Sequence, residues 1–322
     1  MPSGRQYAVR SKQQTATLTA FCLLPSAFCL LENEMVVRRG NLLSPAMRWA
    51  LLLVYLVFTL LPLIWLFLST IQTQASLLTL PVHIIPSELT WRNYIDIFKP
   101  AAFGENSGES TFLLSIRNSV IVSLGTTAVA MVFGTLAAYA FARFNIPRKR
   151  TLLLIVLGSQ LLPAISLIIP LFRMFKSAGL LDSLTALILA YSTFSMPFVV
   201  WIMAGYFQSV PLELEEAARI DGASRFQSFI RVALPLAAPG LAATAIFTLL
   251  NAWDEFFFAL IFTSTYAAKT VPVALAEFIG RHNVNWGLLV TGGFIASLPP
   301  IILSLAFYRY IVSGLSAGGL KG

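Results

Sequence analysis

The residues able to do chemistry are few, and the densest group of them, Asn251, Trp253, Asp254 and Glu255, falls inside an apolar stretch. Two adjacent carboxyls in or near hydrocarbon are costly, so this cluster is expected to face a cavity, a partner helix or the outer water. Trp253 is an amphipathic ring of the kind that stacks on sugars. The four residues are therefore candidates for lining a substrate pathway; the competing reading of the same cluster is a polar group that fixes helix packing at the outer interface. Other chemistries fail on spacing. Gly314 and Gly319 form a GxxxxG, but it continues as Leu320, Lys321 and Gly322 with no GK[ST] and no following helix, so the chain has no P-loop and cannot hydrolyse ATP itself. His83 and His282 stand alone, without metal-ligand spacing or a nucleophile pattern. Cys22 and Cys29 both lie in the N-terminal tail and support neither a disulfide framework nor a metal site. No catalytic constellation is found, so the chain reads as a non-enzyme with no metal or cofactor of its own.

The elements that must position these residues follow from composition. With 322 residues, 57% hydrophobic and 11% charged, against roughly 25% charged in soluble domains, the chain is an integral membrane protein. Its net charge of +8 does not indicate nucleic acid, because no basic patch is interleaved with stacking aromatics and the cations flank hydrophobic runs. Six apolar segments reach the length of about 20 residues that a bilayer requires: Trp49 to Leu68, Ser119 to Phe141, Thr151 to Phe172, Leu184 to Phe207, Leu241 to Phe262 and Trp286 to Phe307. The expected fold is all-α, a polytopic bundle of six transmembrane helices. Twelve cations, Arg38, Arg39, Arg48, Arg143, Arg148, Lys149, Arg150, Arg219, Arg225, Arg231, Arg309 and Lys321, fall on one side, against seven on the other, mostly in longer loops. The positive-inside rule then places both termini in the cytoplasm. At about 1.5 Å per residue from Pro235, the Asn251–Glu255 cluster lies some 24 to 30 Å along the fifth span, in the outer half of the membrane.

One cytoplasmic stretch is polar, Pro211 to Pro235. Pro211 suits the first turn of a helix, where its missing N–H is not needed. Glu213, Glu215 and Glu216 place negative charge near the positive end of the helix dipole, and Arg219 lies at the other end. Gly222 supplies the residue most tolerant of positive φ where the helix stops. Ser224 can cap a second helix that runs to the break at Pro235. A helix, a glycine elbow and a second helix are predicted. Ala217 and Ala218 leave one side of the first helix nearly flat, so another protein's surface can approach its backbone.

Glu216, Ala217, Ala218, Gly222, Val232, Leu234 and Pro235 resemble the EAA loop of the membrane subunits of bacterial ATP-binding-cassette importers, with Val232 where isoleucine is usual. The resemblance extends through Met196, Pro197, Phe198 and Trp201 before the loop and through Asn251 to Phe256 after it. It covers about Val36 to Gly322 and is most similar to the maltose-type permeases of carbohydrate importers. It implies a type I importer permease fold with cytoplasmic termini in the bacterial plasma membrane, forming half of a pathway for a mono- or oligosaccharide. It also implies a second permease subunit in a heterodimer, two copies of a cytoplasmic ATPase that bind the ATP and magnesium, and an external solute-binding protein. Glu216, Ala217, Ala218, Arg219, Asp221, Gly222 and Pro235 are the implied ATPase-coupling residues, with Leu212 to Asp221 seated in an ATPase groove. The tail Ser316 to Gly322 resembles the family's C-terminal segment that reaches the ATPases. An importer of another polar solute is the nearest alternative. An ion-coupled secondary transporter is a weaker one, since no internal repeat is visible and the EAA loop has no task in it.

The remaining segments carry smaller expectations. Ala20–Leu24, AFCLL, recurs as Ala27–Leu31, and a translated repeat upstream of a true start at Met35 accounts for it better than a signal peptide, which lacks a small-residue cleavage site. Residues 1–34 are thus expected to be an extension and 35–322 the permease domain. The outer loop Thr70 to Ile116 has a short helix signal, capped by Thr90 and carrying Trp91, Tyr94, Ile95 and Phe98, suited either to lie on the membrane surface or to touch an external protein. Ala130, Gly134, Ala138 and Ala142 form a small-residue stripe for close helix packing. Gln160, Pro163 and Pro170 predict a kinked or opened third span that faces inward. Asp182 and Ser183 look like a cap for the fourth.

Overall fold

The computed structural model describes residues 44–79, 88–99, 111–280 and 284–319. The repeated AFCLL segment, Met35, both cysteines, both histidines and the end of the C-terminal tail lie outside these residues. The chain divides into two compact units between Leu61 and Pro62. The first contains the start of α1 (Pro45–Thr70), opened by Ser44, whose hydroxyl accepts the Met47 N–H at 3.3 Å.

The second unit holds the rest of the chain, and its described elements are helices. Short α2 (Gln74–Leu78) and α3 (Arg92–Asp96) precede the long α4 (Thr111–Arg143). Then come α5 (Lys149–Gly158), a 3-10 turn at Ser159–Leu161, α6 (Ala164–Ser177) and α7 (Leu184–Ser209). The polar stretch forms α8 (Leu212–Ile220), α9 (Arg225–Ser228), a π-helical turn at Phe229–Ala233 and α10 (Leu234–Leu236). Last are α11 (Ala238–Trp253), α12 (Phe257–Phe262), α13 (Val271–Glu277) and α14 (Trp286–Gly319). Among the described residues four helices, α1, α4, α7 and α14, are long and apolar enough to cross a membrane, and two bent pairs bring the crossings to as many as six.

The first bend has a local cause. The third span turns by 90° between Leu161 and Ala164, because the residue before Pro163 is pushed out of the helical region and Leu162 is extended at φ −69°, ψ 125°. Arg225–Leu236 meets α11 at 78°. The fifth span is also not the single helix expected over Leu241–Phe262: α11 ends at Trp253 and the helix resumes at Phe257.

Packing centres on α4 against α7. Lipid is as apolar as leucine, so this contact relies on close approach rather than on burial from water. Ala130 and Ala138 are fully buried, and a Cβ on Gly134 would sit 2.7 Å from Val199 Cγ1, which requires glycine there. Val199, Met203, Phe207 and Phe229 complete this cluster. A second cluster joins Val122, Leu187, Tyr191, Phe258 and Phe262. In a third cluster Ile97, just past α3, is fully buried with Phe112 and Val271. The N-cap of α3 is Trp91, with no side-chain cap bond, rather than the expected Thr90; Thr90 stands one residue earlier and its Oγ1 accepts the Arg92 N–H at 3.2 Å, while Trp91 and Ile95 stay exposed.

Candidate functional site

Local signals build the polar loop. Pro211 stands at the N-cap position, with φ −56° and ψ 129°, one residue before the first helical one. Glu213 and Glu215 occupy the first turn of α8 and Arg219 the last, as the helix dipole favours. The helix closes in a Schellman motif: the Gly222 N–H reaches the Arg219 carbonyl at 3.1 Å and the Ala223 N–H the Ala218 carbonyl at 3.0 Å. Gly222 has φ +92°, a conformation that costs a side-chain-bearing residue about 1–2 kcal/mol. Ser224 then caps α9 in a reciprocal box with Gln227. Through this geometry the loop folds back on the chain's own helices with one side only.

The inner side is carried by Glu215, a residue that belongs to neither set of candidates named from the sequence. It is buried, 3% exposed. Its carboxylate accepts Arg143 Nε at 2.7 Å and Tyr139 OH at 2.6 Å, both from the end of α4. The Arg143 Nη2 group donates to the Val210 carbonyl at 2.8 Å, at the end of α7, and Ser228 Oγ donates to the Glu215 carbonyl at 3.3 Å. Phe229, in the π turn, packs its ring 4.5 Å from that of Tyr139. The outer side holds the residues singled out from the sequence: Glu216, Ala217, Arg219, Asp221, Gly222 and Pro235 are exposed, and Ala218 is half-buried. Leu212, Leu214 and Ile220 are also exposed there, Ile220 at 87%.

The second polar group sits where the fifth span breaks. Its four residues do not share one environment. Trp253 is buried and its indole N–H donates to the Ala296 carbonyl of α14 at 3.2 Å. Glu255 accepts the Phe258 N–H at 2.9 Å and the Ala259 N–H at 3.3 Å, so its carboxylate satisfies the free donors at the start of α12. Asn251 and Asp254, three residues apart at the end of α11, are exposed. Asn251 Nδ2 donates to the Phe247 carbonyl at 2.9 Å. The height counted from Pro235 is too large, because the chain bends at Ala237; counted from Ala238, Asn251 to Trp253 lie about 20–22 Å along the helix.

The other end of α12 is held by Asp182. Ser183 caps α7 as expected, accepting the Ala186 N–H at 3.2 Å, but Asp182 does something else. It takes φ +59°, its N–H donates to the Phe262 carbonyl, and its carboxylate accepts the Ser264 N–H at 2.8 Å, the Thr265 N–H at 3.0 Å and the Thr265 hydroxyl at 2.8 Å. Partial burial works against ionisation, yet these donors, with Lys269 nearby, hold the carboxyl below the usual range. No sequence signal marks this role, since the partners are 82 and 83 residues away. The small-residue stripe of α4 packs, as its spacing predicts. The bent third span leaves Leu161, Leu162, Ile165 and Ile169 exposed, Leu161 at 85%.

Comparison with known proteins bears on both sites. A family profile described as "Binding-protein-dependent transport system inner membrane component" matches residues 130–317, which include the whole polar loop and the broken fifth span. The trehalose transport system permease protein of Mycobacterium tuberculosis is 38% identical over 280 residues, 86% of this chain and 98% of that protein. The trehalose/maltose transport system permease protein of Thermococcus litoralis is 34% identical over 291 residues, 90% of this chain and 99% of its own. Among solved structures, a chain of a bacterial ABC transporter involved in the import of the acidic polysaccharide alginate superposes with a TM-score of 0.67 at 23% identity, covering 84% of this chain and 99% of that one.

Proposed function

The chain belongs to the binding-protein-dependent transport system inner membrane component family, and from that premise we propose that it forms half of the pathway through which an ATP-binding-cassette importer moves a sugar across the membrane. It is a transport subunit, not an enzyme. The observation that carries the coupling part of this reading is the two-sided loop: Glu215 is buried against the permease's own helices while Glu216, Arg219, Leu214 and Ile220 face outward. Exposed leucine and isoleucine beside charged residues on a short helix outside the spans suit a groove on a cytoplasmic ATPase. That ATPase, in two copies, binds the ATP and magnesium. Glu216, Ala217, Ala218, Arg219, Asp221, Gly222 and Pro235 line this contact.

A second permease of similar fold covers the exposed apolar residues of the bent third span, and an external solute-binding protein delivers the substrate. The excess of cations on the loop side supports cytoplasmic termini. Asn251 and Asp254 are the exposed polar pair at the break, where helix ends in membranes face protein or a watery cavity; they line the route. Trehalose and related disaccharides are the first substrates to test, given the relatives at 34–38% identity. The permease, reconstituted in vesicles with its partner permease, ATPase and binding protein, should import radiolabelled trehalose when ATP is supplied and continue in the presence of a protonophore. Uptake that stops with the protonophore and ignores ATP depletion would refute the reading.

A further inference from the structure

We propose that Glu215, Arg143 and Tyr139 form a strut that makes α8 and the cytoplasmic end of α4 one rigid body, so that movement imposed on α8 turns the spans instead of flexing the loop. This deepens the coupling reading above and rests on it. Helix α8 is joined to the chain at Pro211, whose ring fixes φ but leaves ψ to turn, and at Gly222, φ +92°, where the backbone is freest. A push on a helix held only at two such ends is absorbed in the loop. The strut removes that freedom: two oxygens of one carboxylate are held from two positions of α4, at 2.7 and 2.6 Å, which fixes α8 in rotation as well as in distance. The same guanidinium binds the Val210 carbonyl at 2.8 Å, so α7 is tied to the same point. Arg225 lies over the Phe144 ring at 5.8 Å and attaches the second loop helix alongside.

The choice of residues supports transmission over simple stability. Burying an ion pair costs nearly as much in lost hydration as its attraction returns, so an apolar contact of similar size would stabilise the fold as well or better. What the apolar contact lacks is direction. The flat guanidinium and the carboxylate hold one geometry, and the pair is almost free of water, with side chains 10% and 4% exposed.

The test is the number of trehalose molecules imported per ATP hydrolysed by the full reconstituted complex. Glu215→Gln should lower this ratio about tenfold with the ATPase still co-purifying; Arg143→Gln should do the same, Arg143→Lys less, and the exchange Glu215→Arg with Arg143→Glu should recover part of the loss. Tyr139→Phe, which deletes one hydroxyl, should lower the ratio mildly and serves if Glu215→Gln does not accumulate in the membrane. An unchanged ratio in Glu215→Gln, or loss of the bound ATPase in that variant, would overturn the strut. A sugar-independent reading uses a nitroxide pair at exposed Glu213 and Leu136: the distance should stay the same with and without ATP and vanadate, and should spread in Glu215→Gln. A wild-type pair whose distance shifts with nucleotide refutes the strut, whereas a wild-type complex that imports no trehalose refutes the sugar reading alone.

Discussion

In the loop from Pro211 to Pro235 the acidic residues divide by face: Glu215 turns inward onto Arg143 and Tyr139, and Glu213, Glu216 and Asp221 stay exposed. In the break of the fifth span the division runs along the chain instead, with Trp253 and Glu255 bonded to other turns of the fold, and with Asp254 and Asn251, whose amide bonds only the Phe247 carbonyl of its own helix, left at the surface. Each region thus contains a scaffold set and a free set. A polar residue in or next to a membrane span is evidence of function only after its bonding partners have been counted. Glu255 shows why, since a carboxylate that caps α12 answers the cost of its position without any substrate.

The sharpest way to break this comparison is to exchange members between sets. Trp253→Ala, removing a buried ring, should cost about 3–5 kcal/mol and lower the melting temperature of the purified complex by roughly 10 °C. Trp253→Phe should keep most of that stability, losing about 1 kcal/mol with the bond to the Ala296 carbonyl. If Trp253→Phe instead left melting unchanged and abolished import, the tryptophan would belong to the free set. In the loop, Gly222→Leu should strain the backbone by about 1–2 kcal/mol, enough for a roughly tenfold loss of co-purified ATPase, and Glu216→Lys should also weaken binding by reversing charge on the outer face. Gly222→Asn should lie near wild type, because asparagine accepts positive φ far better than other side chains. Normal ATPase binding by Gly222→Leu would remove the coupling role from this loop. Asn251→Ala and Asp254→Asn should change stability by no more than about 0.5 kcal/mol and yet alter the apparent affinity for sugar; unaltered uptake in both would return the whole cluster to packing.

These two regions also differ in how far the sequence discloses them. The loop is built from neighbours in the chain, so Pro211, Gly222 and the Ser224 box are readable as punctuation, and the outer face follows from the motif. The strut is not readable, because Glu215 meets Arg143 and Tyr139 across 72 and 76 residues, and nothing local distinguishes Glu215 from Glu216 beside it. In the fifth span the polar cluster is visible but its roles are not. Glu255 as a helix cap and Glu255 as a pathway residue have the same one-dimensional signal, and the helix break that decides between them contains neither glycine nor proline. The proline at 163 does announce the bend of the third span, though not its 90° size.

The smallest expected effect lies at Asp182, which holds the C-terminal end of α12 while Glu255 holds the N-terminal end. Burial opposes ionisation of its carboxyl, but the bonds to Ser264 and Thr265, with Lys269 nearby, outweigh it and hold the pKa below the usual carboxylate range. A depressed folded value means that ionised Asp182 favours the folded state at neutral pH, and that this contribution is lost as pH falls through the folded value, below the ordinary range. Asp182→Asn keeps one acceptor oxygen and tolerates φ +59°, so it should lower stability by about 1 kcal/mol or less. Asp182→Ala should cost more, because alanine is strained at that φ and leaves the Ser264 and Thr265 N–H groups unanswered. Melting of the complex followed from neutral pH to about pH 3 gives the check. The gap between wild type and Asp182→Asn should narrow as pH falls below the ordinary carboxylate range, while the gap between Asp182→Asn and Asp182→Ala should persist, because backbone strain does not titrate. A wild-type advantage that stayed constant across that range would mean that the Asp182 charge does not brace α12, and that the break in the fifth span is held at Glu255 alone.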